Sequence, residues 1–353
     1  MNIIRRLITI GAIAAFTLAV ALPNSAQAEA KHKWKMAASW GGGPLMEIGA
    51  KAFAEKVKFL TDGRIEIKVF PSGQLSKGLE VRSAVAKGVA EMGHTWMGYD
   101  WGKDKTTVLF GGYAGSMDSE RMLHWIYEGG GLELQRQFNE EKFGIISMPM
   151  FIRTAEAFLH SRKPVRTLAD LNGLKFRTAG AWLAISKGLG AAPVTMPGGE
   201  VYTSLERGAI DATEWGTLYE NKSTGFHKIA KYVIIPGIHQ PTAPFELAIN
   251  KKAWASLSKR DQEMVAMAAK LVTFETWTRI GQEDAKALDF YKKAGNEVIV
   301  LDAAVQKKGK QLGLAWAQEQ AKTNPWFDKV MKSQIAFETL WKDAAHYRNV
   351  ISE

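Results

Sequence analysis

The chain has 353 residues, 46% hydrophobic and 23% charged, with a formal charge of +10 and no cysteine. That length and balance build a sizeable core in about two domains, and the missing cysteine excludes disulfide staples, thiol catalysis and thiolate metal sites. Lysines and arginines are scattered among acids with no basic run carrying interleaved aromatics, which argues against nucleic acid and leaves anionic surfaces or acidic small molecules as counterparts of a basic protein.

Residues 1–28 read as a secretory signal peptide. Arg5 and Arg6 precede an apolar stretch over 7–22, and Ala26-Gln27-Ala28 forms the small-residue cleavage signal. A membrane anchor is the other reading, for which the apolar stretch is short. Cleavage removes two arginines and no acids, taking the formal charge from +10 to +8. An exported chain held by its core without disulfides suits a bacterial periplasm.

From residue 33 strand and helix signals alternate. "KWKMAAS" (33–39) is a short strand, "WGGGP" a loop, and a helical pattern runs to about residue 60. "RIEIKVF" (64–70) alternates at period two, as a half-buried strand does. A helix over about 76–87 and a strand in "VAEMGHT" (89–95) follow. A second block of like layout starts near residue 145: strand "IISMPMF", short helix "TLADLNG", strand "LKFRTA", helix "AWLAISKGLG", strand "APVTM", helix "GGEVYTSLERG" and strand "AIDATEW". Such alternation predicts two α/β lobes, each a mostly parallel sheet covered by helices. The longest helical signal covers about 259–294. Ser258 and Asp261 form its capping box and Gly295 its C-cap. At 1.5 Å per residue it is roughly 50 Å long, a length suited to spanning two lobes. Gly281 inside it leaves open a kinked pair of helices. The tail reads as two amphipathic helices separated by Asn324-Pro325.

Signals for catalysis are weak. The seven histidines show no zinc spacing, and no nucleophile elbow, P-loop or dinucleotide fingerprint follows a strand. The glycine runs at 41–43 and 129–131 read as turns before anion cradles. Arg177 closes the "LKFR" strand, with Thr178, Ala179 and Gly180 beyond it. A guanidinium there holds a carboxylate in a bidentate fork, at the strand end where open α/β folds bind ligands. A surface arginine is the alternative. Glu214 and Trp215 end the "DATEW" strand, as a helix cap or as a cation ligand with an apolar wall. Hard cations take oxygen donors, and Glu156 in "RTAEAF" and Gln240 in "GIHQP" are further candidates.

The runs "VFPSGQL…GVAEMGHT", "GLKFRTAG" and "GGEVYTSLERGAIDATEW…GFHKIAKYVIIPG" resemble the periplasmic solute-binding proteins of TRAP transporters over about residues 32–350. The resemblance implies a two-lobed α/β binding-protein fold with a cleft between the lobes and the long helix running across both. We therefore expect residues 31–153 with about 245–285 in one lobe and 154–244 with about 286–353 in the other. It also implies delivery of a small organic acid to a permease of large and small membrane subunits, driven by an ion gradient. In that family an arginine in the place of Arg177 grips the substrate carboxylate. The branch that binds 2-oxo and 2-hydroxy monocarboxylates is the most similar, and some of its members hold a metal ion. Its Glu-Trp pair supplies metal contacts, matching Glu214 and Trp215. It commonly carries glutamine where Glu156 stands and glutamate where Gln240 stands, so an acid and an amide exchange places here. Gly216-Thr217-Leu218 replaces its usual glycine-proline pair. A sodium or calcium ion bridging the substrate carboxylate is accordingly expected, with Glu156, Glu214, Trp215 and Gln240 around it. Arg177, Glu156 and Trp215 then face Trp40 and Tyr99, with Trp96 or Trp101 nearby. An exported enzyme for acidic substrates, or the ligand-binding partner of a sensor, are the competing functions.

Overall fold

The computed structural model describes residues 31–196, 198–344 and 347; the expected signal peptide lies outside them. Eleven strands are found among them: β1 (His32–Ala38), β2 (Ile65–Phe70), β3 (Met92–Thr95), β4 (Ile145–Arg153), β5 (Leu159–Ser161), β6 (Lys175–Arg177), β7 (Ala192–Val194), β8 (Ala212–Thr213), β9 (Tyr232–Ile235), β10 (Ala243–Asn250) and β11 (Glu297–Val300). They form two sheets, ordered β2-β1-β3-β10-β4 and β11-β9-β5-β8-β6-β7. The two-lobed α/β architecture expected from the alternating pattern is present. No helix of the described residues is long and apolar enough to cross a membrane.

The sheets are mixed, where the alternation predicts a mostly parallel arrangement. β10 runs antiparallel to β3 and β4, and β5 antiparallel to β8 and β9, while the other pairings are parallel. Both reversed strands directly follow a crossing between sheets, β4 to β5 and β9 to β10. Chain arriving from the other sheet enters at the edge where parallel strands end, so its first strand must run backward. Strands β5, β9 and β11 are too short, at three or four residues, to show a period-two signal. β10 and β4 are buried almost throughout, which removes the polar–apolar alternation of a half-buried strand.

The long helix is Lys259–Lys293, capped by Ser258, whose hydroxyl accepts from the Asp261 amide, and followed by Gly295 at φ 84°. It is one continuous helix through Gly281, so the kinked pair does not form. Val265, Ala268, Ala269 and Val272 pack against the first sheet's core with Met36 and Leu247. Ala287 and Tyr291 pack with Val233 of the second sheet. One helix therefore joins both cores. The tail helices are Ala303–Ala321 and Pro325–Asp343. The second lies on the Thr107–Gly111, Ser119–Glu128 and Gly131–Phe143 helices. The last of these three covers β4, so the Pro325–Asp343 helix departs from the expected grouping of 286–353 with the second lobe.

Two histidines sit fully inside the sheets. His94 in β3 lies under Trp40 with ring centroids 5.0 Å apart, and His160 in β5 contacts Asn221 at 3.0 Å. Burial lowers their pKa values, to about 4 for His94 and about 3 for His160. The fold thus holds them neutral, while an unfolded histidine titrates near 6.5. Their contribution to stability is fully present above pH 6.5 and is lost as pH falls toward 4. Glu220, Glu246 and Asp284, raised by burial, oppose this in part. We expect the urea midpoint to drop between pH 7 and pH 4.5, with His94 alone contributing on the order of 3 kcal/mol at full protonation. His94→Gln should flatten that dependence; an identical slope in the variant would remove His94 from the account.

Candidate functional site

The parallel register of β6 and β8 builds the first half of the site. It aligns Arg177 with Thr213, so that Glu214 follows at the same carboxyl-end edge. The Glu214 amide donates to the Arg177 carbonyl at 3.3 Å. The Glu214 carboxylate accepts from the Ala179 amide at 2.9 Å and from Arg177 Nη1 at 3.4 Å. The Arg177 guanidinium also lies over the Trp215 ring, 5.4 Å from its centroid. Arg177 is only 5% exposed and its buried Nε has no hydrogen-bond partner. A buried guanidinium with a single long pairing and an unpartnered donor has capacity left for an anion. The turn after Arg177 requires Gly180, which has φ 64° and would place a Cβ 2.7 Å from Trp96.

The second half comes from the ends of β4 and β10 and from the segment before β5. Arg153, the last residue of β4, pairs with Glu156 and, at 2.6 Å, with Glu220. Glu156 also meets His239 Nε2 at 2.8 Å, and its amide donates to the Gln240 carbonyl at 3.2 Å. Gln240 Nε2 donates to the Gly111 carbonyl at 2.8 Å, as Trp96 Nε1 does. Burial pushes the Glu156 carboxyl up, but the Arg153 charge and the His239 hydrogen bond outweigh it and hold it below the usual range. For Glu220 burial wins over Arg153 and the pKa is raised. Facing these groups, Trp40 leaves the end of β1 and packs on Phe245, with centroids 5.3 Å apart, while Tyr99 meets Trp96 edge-on at 5.2 Å.

One small cavity of about 30 Å³ is lined by Arg177, Glu214, Trp215, Glu156 and Gln240 together with Trp40, Trp96 and Tyr99. All seven residues singled out in the sequence line it, and of the two further tryptophans Trp96 does. Trp101 packs instead on the helical core and beneath Lys105. Of the glycine runs, 41–43 borders the cleft, whereas 129–131 is the turn between the Ser119–Glu128 and Gly131–Phe143 helices. The Glu214 and Glu156 carboxylates and a His239 nitrogen offer atoms within 4.8 Å of one another. The two carboxylates, with Gln240 lining the same cavity, supply oxygen donors of the kind sodium or calcium takes, so these residues fit such an ion. Sequence reading missed Arg153, His239 and Glu220. Arg153 carries the signal that Arg177 does, an arginine at a strand end before small residues.

The family model for bacterial extracellular solute-binding protein, family 7, matches residues 36–323. The monocarboxylate 2-oxoacid-binding periplasmic protein of Nostoc sp. is 30% identical over 309 residues, covering 86% of this chain and 84% of its own. A TRAP transporter solute-binding protein from Bordetella bronchiseptica, with copurified calcium and picolinate bound, superposes with TM-score 0.85 at 27% identity, covering 91% of this chain and 96% of its own. The TRAP periplasmic solute-binding protein of Pseudoalteromonas atlantica, with sodium and pyruvate bound, gives 0.83 at 27% identity and covers 91% and 99%. With the two-lobed fold and the family model spanning most of its length, the chain belongs to the family 7 extracellular solute-binding proteins, the solute receptors of TRAP transporters.

Proposed function

We propose that this receptor binds a 2-oxo or 2-hydroxy monocarboxylate between its lobes, with Arg177 gripping the carboxylate. The observation that carries this is the buried Arg177 guanidinium, with its partnerless Nε, on the wall of the cavity between the two sheets. The 2-oxoacid and pyruvate ligands of the relatives named above favour the same class. Residues 31–153 with about 245–285, joined by the Pro325–Asp343 helix, act as one lobe. Residues 154–244 with about 286–324 act as the other, and the Lys259–Lys293 helix couples them. In the open form Arg177, Glu214 and Trp215 stand on one lobe and Trp40 and Tyr99 on its opposite. Closure brings the aromatic rings over the bound acid and expels water, which strengthens the guanidinium–carboxylate attraction. The ligand thereby favours the closed form, which docks on the membrane subunits of the permease.

Glu214, Glu156, Gln240 and Trp215 hold a sodium or calcium ion when one is bound. Such an ion offsets the repulsion between these acids and the incoming carboxylate. Arg153 and His239 keep Glu156 ionised and oriented toward the cavity. The protein is exported with its leader removed after Ala28. Thermal-shift measurements of the mature chain with pyruvate, lactate, longer 2-oxo acids and dicarboxylates, each with and without chelator, test this. An acid at 100 times its dissociation constant should add about 2.7 kcal/mol. That shift should shrink on chelation where calcium is the ion, and on replacing sodium by choline in the buffer where sodium is. Stabilisation by dicarboxylates alone would overturn the monocarboxylate assignment.

A further inference from the structure

The cavity at Arg177 shares five lining residues with a much larger space, and the two differ in kind. The inner cavity, at about 30 Å³, has room for on the order of two water-sized groups, the size of a carboxylate head. Trp40, Leu45, Tyr99, Arg177 and Trp215 line it and also line an outer chamber of about 840 Å³ in the same cleft. Apolar side chains dominate the chamber: Pro44, Leu79 and Tyr202 join the shared rings. Leu79 is 50% exposed, a large apolar side chain left open to water at the rim. It is also held in place. Ser39 Oγ donates to the Gly78 carbonyl at 2.6 Å, and a Cβ on Gly78 would lie 2.5 Å from the Ser39 carbonyl oxygen, so the turn is pressed onto the end of β1.

The floor is glycine. Gly41, Gly42, Gly73 and Gly199 border the chamber, and a Cβ on any of them would meet nothing within 4 Å. At Gly41, Gly42 and Gly199 the backbone does not need glycine, since none of the three has positive φ. The space beside these three positions is open. The chamber's own charged groups beyond Arg177 and Glu220 are Lys77 and Glu80, of opposite sign and both exposed. They provide no net charge to hold a second carboxylate.

We propose that the chamber bounded by Gly41–Gly42, Leu79, Gly199 and Tyr202 is a subsite for the apolar tail of the solute. The receptor's ligand is then a 2-oxo or 2-hydroxy monocarboxylate with a branched aliphatic or aromatic chain, larger than pyruvate. This rests on the assignment of Arg177 as the carboxylate grip, with the tail entering past Trp40, Tyr99 and Trp215.

Titration calorimetry on the mature chain with pyruvate, 2-oxo-4-methylpentanoate, phenylpyruvate and oxaloacetate tests it. Burial is worth roughly fourfold in affinity per methylene, so three added carbons give on the order of fifty-fold. The branched or aromatic acid is expected to bind at least tenfold tighter than pyruvate. Gly199→Leu, which adds a side chain at the chamber's border where a Cβ meets no other atom within 4 Å, should cut that ratio at least tenfold, with the melting temperature of the ligand-free protein as the check on folding. Pyruvate binding as tightly as the longer acids, oxaloacetate binding best, or an unchanged ratio in Gly199→Leu would each overturn the tail subsite while leaving the receptor assignment standing. Failure of every acid to bind would overturn both.

Discussion

Replacing Arg177 with alanine is expected to abolish measurable binding of the organic acid while leaving the far-UV circular dichroism unchanged. The side chain is buried, pairs with Glu214 at 3.4 Å, and keeps its Nε without a partner. Truncating one member of a buried, charge-assisted pair costs about 2–5 kcal/mol, or roughly thirty- to several-thousand-fold in affinity. The loss is compounded because Glu214 remains buried on the Ala179 amide and repels an incoming carboxylate. Arg177→Lys keeps the charge and loses the planar fork, so it should fall between the two. Calorimetric affinity within threefold of wild type in Arg177→Ala would remove this residue from the site.

Arg153→Met should have the largest effect on stability. Arg153 is 5% exposed, pairs with both Glu156 and Glu220, and packs over Phe245 at 4.8 Å. Methionine replaces the packing but strands two buried carboxylates. Removing one partner of a buried ion network costs about 3–5 kcal/mol, which corresponds to a fall of about ten degrees in melting temperature. The sign of its pH dependence follows. Arg153 holds the Glu156 carboxyl low against its burial, so without it both acids take up protons more readily in the folded state. The deficit should then be greater at pH 8 than at pH 5, and adding Glu220→Gln should recover part of it. A melting temperature within two degrees of wild type at pH 8 would show that the network contributes little.

Much of this site was legible in the chain because parallel strands end together. Once "LKFR" and "DATEW" are read as strands, their termini, and hence Arg177 and Glu214, must share an edge, as the β6–β8 register confirms. Arg153 went unread although it ends a strand in the same way, because "IISMPMFIR" is apolar apart from Ser147 and Arg153 and shows no alternation to mark the strand's end. His239 carried no signal, since a lone histidine before a glutamine has no spacing to decode. Its role emerges only when residues 156 and 239 meet at 2.8 Å.

The sequence by itself determined the local order: the α/β alternation, the long capped helix and the strand-end positions of Arg177, Glu214 and Trp215. These follow from periodicity, capping and turn chemistry, which act over a few residues. Only the tertiary structure decided what those residues face. The reversal of β5 and β10 depends on where the chain crosses between sheets, and the packing of the Pro325–Asp343 helix depends on surfaces built some two hundred residues earlier. The Arg153–Glu156–Glu220 network and the contrast between a carboxylate-sized cavity and its wide apolar neighbour have the same origin. Charges and cavities are properties of distance in space, and distance across a crossover is set by packing, which no short window of sequence contains.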